Sequence, residues 1–380
     1  MRSSVWLGVL AIVAGSGFLA AAPADPPKLL DLKEGHLGGV TAMAFNAKGD
    51  RFVSGSGNGV IRVWDTLSNE TVARFEELRG VTITGLSISP FGKMVAACGK
   101  GKVGLWIDLD VKLGRATESD TSSGATKSES KFRFVNVQNT DSEAAYSGVA
   151  ITGDGKDLYI ARRHLGINNP GRLVRYDIDR DIVIEQPGPK FFDPRAVASI
   201  PDPESSVVAV YGAIDKGEAA ILLYGLGDVR TITHGVPPLS HDAHHRLPQR
   251  ITFSTDGYWL AAYSGTLAVW PVPGSQIITG NPATLNNVFA AAIGPNNIMA
   301  TVGPPSEYQN AEVTLWKLDY NSREYGLFGA HWVKPSVDIK KLSSFSTKLR
   351  EVGTLAFNPT GKLLAAGGIT DGLVQIWNLK

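Results

Sequence analysis

Cysteine is almost missing from this chain: Cys98 is the single one in 380 residues. One thiol cannot form an intrachain disulfide, and its place beside a glycine turn suggests a packed group more than a reactive one. Net charge is missing as well. With Arg2 of the leader set aside, 36 basic side chains face 36 acidic ones, so neither nucleic acid nor an acidic membrane surface is an expected partner. Catalytic signatures are absent too: there is no G-x-S-x-G elbow, no H-E-x-x-H, and no pairing of Cys with His around a plausible nucleophile. No cofactor is therefore expected.

Glycine is plentiful, with 42 residues, and 43% of the chain is hydrophobic against 19% charged. That composition describes a turn-rich globular protein, long enough to bury about 75% of its unfolded surface. Residues 1–24 read as an export signal: Arg2 as the charged start, an apolar run from Val5 to Leu19, and A-P-A at 22–24 with cleavage after Ala24. The run is short of the ~20 residues of a spanning helix. Export to the periplasm or the extracellular space is expected, with no membrane insertion after cleavage.

From Arg51 to Asp65 the sequence R-F-V-S-G-S-G-N-G-V-I-R-V-W-D reads as strand, glycine turn, strand. In the second strand Ile61 and Val63 point to one face while Arg62 and Trp64 point to the other, so the hairpin needs neighbours on both sides. Such neighbours recur. An aromatic closes a similar strand at Trp64, Trp106, Tyr176, Tyr224, Trp270, Trp316 and Trp377, at steps of 42, 70, 48, 46, 46 and 61 residues. Upstream of each closure a strand ends in a Gly-, Pro- or Asn-rich turn: Phe45-N-A-K-G, Ile88-S-P-F-G, Ile151-T-G-D-G, Ile200-P-D-P, Phe253-S-T-D-G, Ile293-G-P-N-N and Phe357-N-P-T-G. A four-stranded unit needs about 40–45 residues, so the two long steps hold one unit plus an insertion each.

With Gly35-His36, Ser54-Gly55-Ser56, Asn58-Gly59 and Trp64-Asp65 in place, residues 28 to 380 resemble the WD-repeat family of β-propellers. The resemblance implies an all-β fold of seven four-stranded antiparallel blades in residues 25–380, and within each blade a hydrogen-bonded polar set. By resemblance that set is His36, Ser54, Asn58 and Trp64 in the first repeat, Asn replacing the usual Asp, with Asp371 and Trp377 at matching places in the last. Elsewhere the polar positions are eroded; Arg79, Ser142, Phe191, Thr284 and Lys348 stand where the histidine belongs. The segment K-L-L-D-L-K at 28–33 supplies the outer strand that the last blade lacks, closing the ring.

Residues 115–130 carry no large apolar side chain and read as a mobile loop between the third and fourth strands of blade two. Residues 332–348 read as an insertion overhanging one rim. On that rim Arg163, His164, His241, His244, Tyr308 and Trp332 are the candidate partner-binding residues, since Arg, Tyr and Trp are the types that most often anchor interfaces.

Three further motifs read as structure. G-x-G-x-x-G at Gly99–Gly104 continues directly as strand, with no helix to carry a pyrophosphate. The segment His241-Asp242-Ala243-His244-His245 could offer imidazoles to zinc, but His244 also falls on the Gly-His position of blade five and prolines mark a loop there. Asp177-Ile-Asp179-Arg-Asp181 begins like a calcium loop, yet Ile182 and Gly188 stand where Gly and Glu are required.

The expectation is a monomeric, non-catalytic exported platform that binds a protein or peptide. Two alternatives stay open: a propeller enzyme of the lactonase or quinoprotein type with a metal or cofactor in the tunnel, and a glycan-binding propeller. Carboxylates and imidazoles converging on the innermost strands would favour the enzyme, neutral small residues the platform.

Overall fold

A computed structural model describes residues 27–30, 35–109, 131–137, 145–163, 171–189, 192–225, 227–239, 250–272, 282–306, 309–321 and 336–379. They form seven antiparallel sheets, and the only helical turn among them is Asp215–Gly217. Blade one is Val40–Phe45, Arg51–Ser56, Ile61–Asp65 and Thr71–Phe75, joined in sequence order, and blades two, three, four and six repeat that order. The export signal at 1–24 and the loop at 115–130 lie outside the described residues. The third and fourth strands of blade two, Lys102–Ile107 and Lys131–Phe134, do flank that loop as expected.

The five turns that end in glycine explain the repeated spacing. Gly49, Gly92, Gly155, Gly257 and Gly361 all take φ between +71° and +76°, and each donates its N–H to the carbonyl three residues earlier, at Asn46, Ser89, Thr152, Ser254 and Asn358. A Cβ at such a φ is strained, so glycine sets where each inner strand must turn back.

Blade five departs in form but not in plan. Its middle strand, Trp259–Pro271, is one continuous run of 13 residues. Fully extended it would span roughly 43 Å, yet Val272 donates its N–H to Tyr258 across 2.7 Å. The chain therefore doubles back, at Gly265 with φ +84°. Its first half pairs with Arg250–Phe253 and its second with Ala283–Val288, which gives four strands in all.

Side-chain alternation fixes how the blades stack. Ile61 and Val63 join Val53 and Phe75 in one core with Ile88, Val95, Ala97 and Trp106 of blade two. Trp64 points the other way, with Phe52 and Met43, into Ala365, Val374 and Ile376 of blade seven. Phe75 stacks on Trp106 across the blade boundary at 4.9 Å between centroids. Burying one such ring returns about 4–6 kcal/mol at ~25 cal/mol per Å², an upper figure for an extended unfolded chain.

The ring closes through both ends of the chain. Lys28, Leu29 and Leu30 pair with Asn378, Trp377 and Ile376, so blade seven is completed by a strand from the start. Residues 31–33 lie outside the described residues. One expectation is corrected: Ser336–Ser346, placed in a rim insertion at 332–348, is the outer strand of blade six and pairs with Glu312–Asn321. Val337 and Ile339 alternate with polar neighbours at its start, but the strand is exposed along most of its length and the alternation is lost at Lys340-Lys341.

Candidate functional site

Each blade's inner strand starts at the face that carries the second-to-third turns and the fourth-to-first connections, here called the upper face. The expected polar set can be tested in blade one. Ser54 sits at its centre, fully buried: its hydroxyl accepts the indole N–H of Trp64 at 2.8 Å and is hydrogen bonded to Nε2 of His36 at 2.7 Å. Burial, reinforced by the charges of Arg62 and Arg74, lowers the His36 pKa to about 4, so the imidazole is neutral at pH 7.

Asn58 does not join this set. Its Oδ1 accepts the hydroxyl of Ser56 and the N–H of Val60 at 3.3 Å, while Nδ1 of His36 is buried without a partner among the described residues. A short amide in a glycine turn closes the local bond first. Asp371 behaves in the same way, accepting the N–H of Leu373 at 3.2 Å. Trp377 is buried edge-on against Phe345, 5.2 Å between centroids. In blades two and five the indole N–H groups of Trp106 and Trp270 are buried without partners among the described residues; His244, at the Gly-His position of blade five, lies outside them.

Of the six rim candidates, Arg163 is described; His164, His241, His244, Tyr308 and Trp332 lie outside the described residues. Arg163 ends the second strand of blade three, on the upper face. Its Nε stands 3.6 Å from Oδ1 of Asp193, whose other oxygen takes Nη2 of Arg195 at 2.6 Å. Two guanidinium groups thus share one carboxylate at the junction of blades three and four. Burial, with Arg195 beside it, lowers the pKa of Arg163. Its side chain stays part-exposed beside this carboxylate.

Between the blades runs a central channel with a cavity of about 260 Å³, lined by all seven inner strands. Its wall combines Ala, Gly, Ser and Thr with larger apolar and aromatic side chains, among them Met43, Phe45, Phe253, Tyr263 and Phe357, and Arg250 is its single charged residue among those described. The described residues contain no group of three or more His, Cys, Asp or Glu able to hold a metal ion. A second, open hollow on the upper face, about 480 Å³, is lined by Ser264, Gly265, Thr266, Asn286, Asn287 and Pro304 with Val288 and Phe289. Its described lining offers amides and hydroxyls.

The motifs read as structure are used as structure. Gly99 pairs with Lys102 across the turn at Gly101, so the G-x-G-x-x-G run is a hairpin. Tyr176 donates its hydroxyl to Asp181 at 2.6 Å and Asp177 accepts the N–H of Arg180 at 3.0 Å, which employs two carboxylates of the calcium-like segment in its own turn. Cys98 is wholly buried, and burial pushes its thiol up to about 12. It is a packed group. Sequence reasoning missed Arg250 and the Asp193–Arg195 pair. A signal for Arg250 was present, because the residue three places before Phe45, Ile88, Ile151, Ile293 and Phe357 is Ala42, Gly85, Gly148, Ala290 or Thr354, and before Phe253 it is arginine.

Residues 28–65 and 339–378 match the family model described as WD domain, G-beta repeat. Both matches run from an outer strand through the first three strands of the next blade. No curated protein sequence matches the chain. Among solved structures, the crystal structure of the Myceliophteria thermophila Cps50 (Swd1) beta-propeller domain aligns with a TM-score of 0.61 at 16% identity, over 93% of this chain and 100% of that one. The crystal structure of RRP9 WD40 repeats gives 0.61 at 13% identity, over 94% and 99%. The structure of U3-55K gives 0.60 at 13% identity over the same shares. At these identities the likeness is one of fold.

Proposed function

We propose that this seven-bladed β-propeller, two stretches of which match the WD-domain family model and whose fold commonly serves as a protein interaction scaffold, is a non-catalytic platform holding a protein or peptide on its upper face. The observation that carries this reading is the channel wall. Apart from Arg250, neutral residues from every blade meet where an enzyme of this shape would gather carboxylates and imidazoles. The rim supports it from the other side, since Arg163, Asp193 and Arg195 form a partly exposed, net positive cluster.

The proposal includes export. Arg2, the apolar run and the A-P-A ending direct the chain across a membrane, and the balanced charge of the remainder suits a protein whose partner is recognised locally and not by long-range attraction. N-terminal sequencing of the protein from a fractionated cell checks this: a start at Asp25 in the envelope or medium is expected, and an intact Met1 in the cytoplasm would refute it. Affinity capture from the same fraction, comparing wild type with Arg163→Ala and Trp332→Ala, tests the platform. Loss of one partner in either variant is expected, and equal recovery of every partner would mean that the rim is not used.

A further inference from the structure

Strand register puts seven residues at one level of the channel. Ala42, Gly85, Gly148, Ala196, Arg250, Ala290 and Thr354 pair with Gly55, Cys98, Ala161, Tyr211, Tyr263, Val302 and Gly367, the corresponding positions of the neighbouring strands. Six of the seven offer nothing larger than threonine. Blade five alone sends in a long side chain.

That side chain crosses the opening. Nη1 of Arg250 donates to the carbonyl of Thr84 at 2.6 Å and Nη2 to the carbonyl of Thr41 at 3.0 Å, in blades two and one. Both acceptors are neutral, and no carboxylate of the described residues pairs with this guanidinium. Of its five N–H donors two are used in this way, which leaves three, enough for the two parallel bonds of a carboxylate. The nearby hydroxyls do not compete for such a ligand: Thr41 donates to Gly55 at 3.2 Å, Thr84 to Tyr146 at 2.5 Å, and Ser147 to Pro194 at 3.0 Å. An uncompensated positive charge in a channel with low-dielectric walls concentrates its field along the axis.

We propose that the upper mouth of the channel is a binding site for a carboxylate, held by Arg250. The carbonyls of Thr41 and Thr84 fix the plane of the guanidinium, and the surrounding small residues leave room for the ligand. The carboxylate comes from a small free acid or from an acidic side chain of a bound peptide. The site is a property of the purified chain and does not depend on the platform reading.

Acetate, succinate and the capped peptide acetyl-Ala-Glu-Ala-amide serve as probes, titrated into the exported form while the arginine side-chain N–H signals are followed by NMR. Sodium chloride at matched ionic strength is the control. Saturable binding of succinate or of the peptide is expected in wild type, the responding probe identifying the source. Affinity should fall about tenfold or more in Arg250→Gln and by less in Arg250→Lys, which keeps the charge but loses the fork. Melting curves of both variants separate loss of the ligand from loss of the fold, and Arg250→Lys carries the test if the glutamine variant does not fold. Absence of saturable binding by all three probes in wild type, or equal affinity in a folded Arg250 variant, overturns the proposal.

Discussion

His36 donates its main-chain N–H to the carbonyl of Gly372 across 2.9 Å, so the first repeat holds a turn of the last. The same histidine, through its ring, meets Ser54 inside its own blade. One residue therefore joins the internal order of blade one to the closure of the ring.

Ser54→Ala removes the shared partner of two buried polar groups, the Trp64 indole and the His36 ring. Leaving both unsatisfied should cost about 2–4 kcal/mol. Trp64→Phe should likewise be costlier than Trp106→Phe, because the N–H lost from Trp106 has no partner among the described residues. Urea unfolding of the three variants checks the order; an equal loss for the two tryptophans would refute it.

The His36 ring makes stability depend on pH in a defined window. Its pKa is about 4 in the folded chain against an ordinary 6.5, so below pH 6.5 the unfolded chain takes up a proton that the folded chain refuses. The contribution of this group is complete above pH 6.5 and declines as pH falls toward 4, by about 3 kcal/mol in all. Melting temperatures of wild type and His36→Gln between pH 4 and 7.5 should converge toward the acid end. Parallel curves would contradict the assignment.

Gly372 and Gly101 both sit in second-to-third turns with positive φ, +66° and +70°. A Cβ on Gly372 would lie 2.2 Å from the carbonyl oxygen of His36, whereas one on Gly101 meets nothing within 4 Å. Gly101→Ala should cost only backbone strain, about 1–2 kcal/mol. Gly372→Ala should cost several times more, since it also pushes the first repeat off the last. Chemical denaturation of both variants gives the comparison, and similar midpoints would remove the role assigned to the contact.

Deleting residues 25–34 removes the strand that pairs Lys28, Leu29 and Leu30 with blade seven, and with it His36's approach to that blade. A sharp fall in melting temperature is expected. An unchanged value would mean that the ring does not depend on this closure.

The seven repeats were legible because two signals of different physical origin alternate along the chain: a glycine required by positive φ, as at Gly49 and Gly257, and an aromatic required to fill the gap between blades, as at Trp64 and Trp106. Closure by residues 28–30 was legible from the missing outer strand at the other end. Ser336–Ser346 was not, because the alternation of Val337 and Ile339 is short and gives way to Lys340, Lys341, Ser343 and Ser344 on a strand wet along most of its length. Asn58 was assigned to the His36 set by resemblance, and the nearer bond to Val60 prevailed. Arg250 escaped because its importance lies in what the other blades have at the same level, a comparison across the ring and not along the chain.

Lys28 finds its partner in Asn378, almost the whole sequence away. A ribosome must therefore release nearly every residue before the circle can shut, and until then the growing polypeptide keeps an open seam. Contacts this distant slow folding. Any nonsense codon ahead of Ile376, however late, would leave a product with a ragged edge open to capture by other strands.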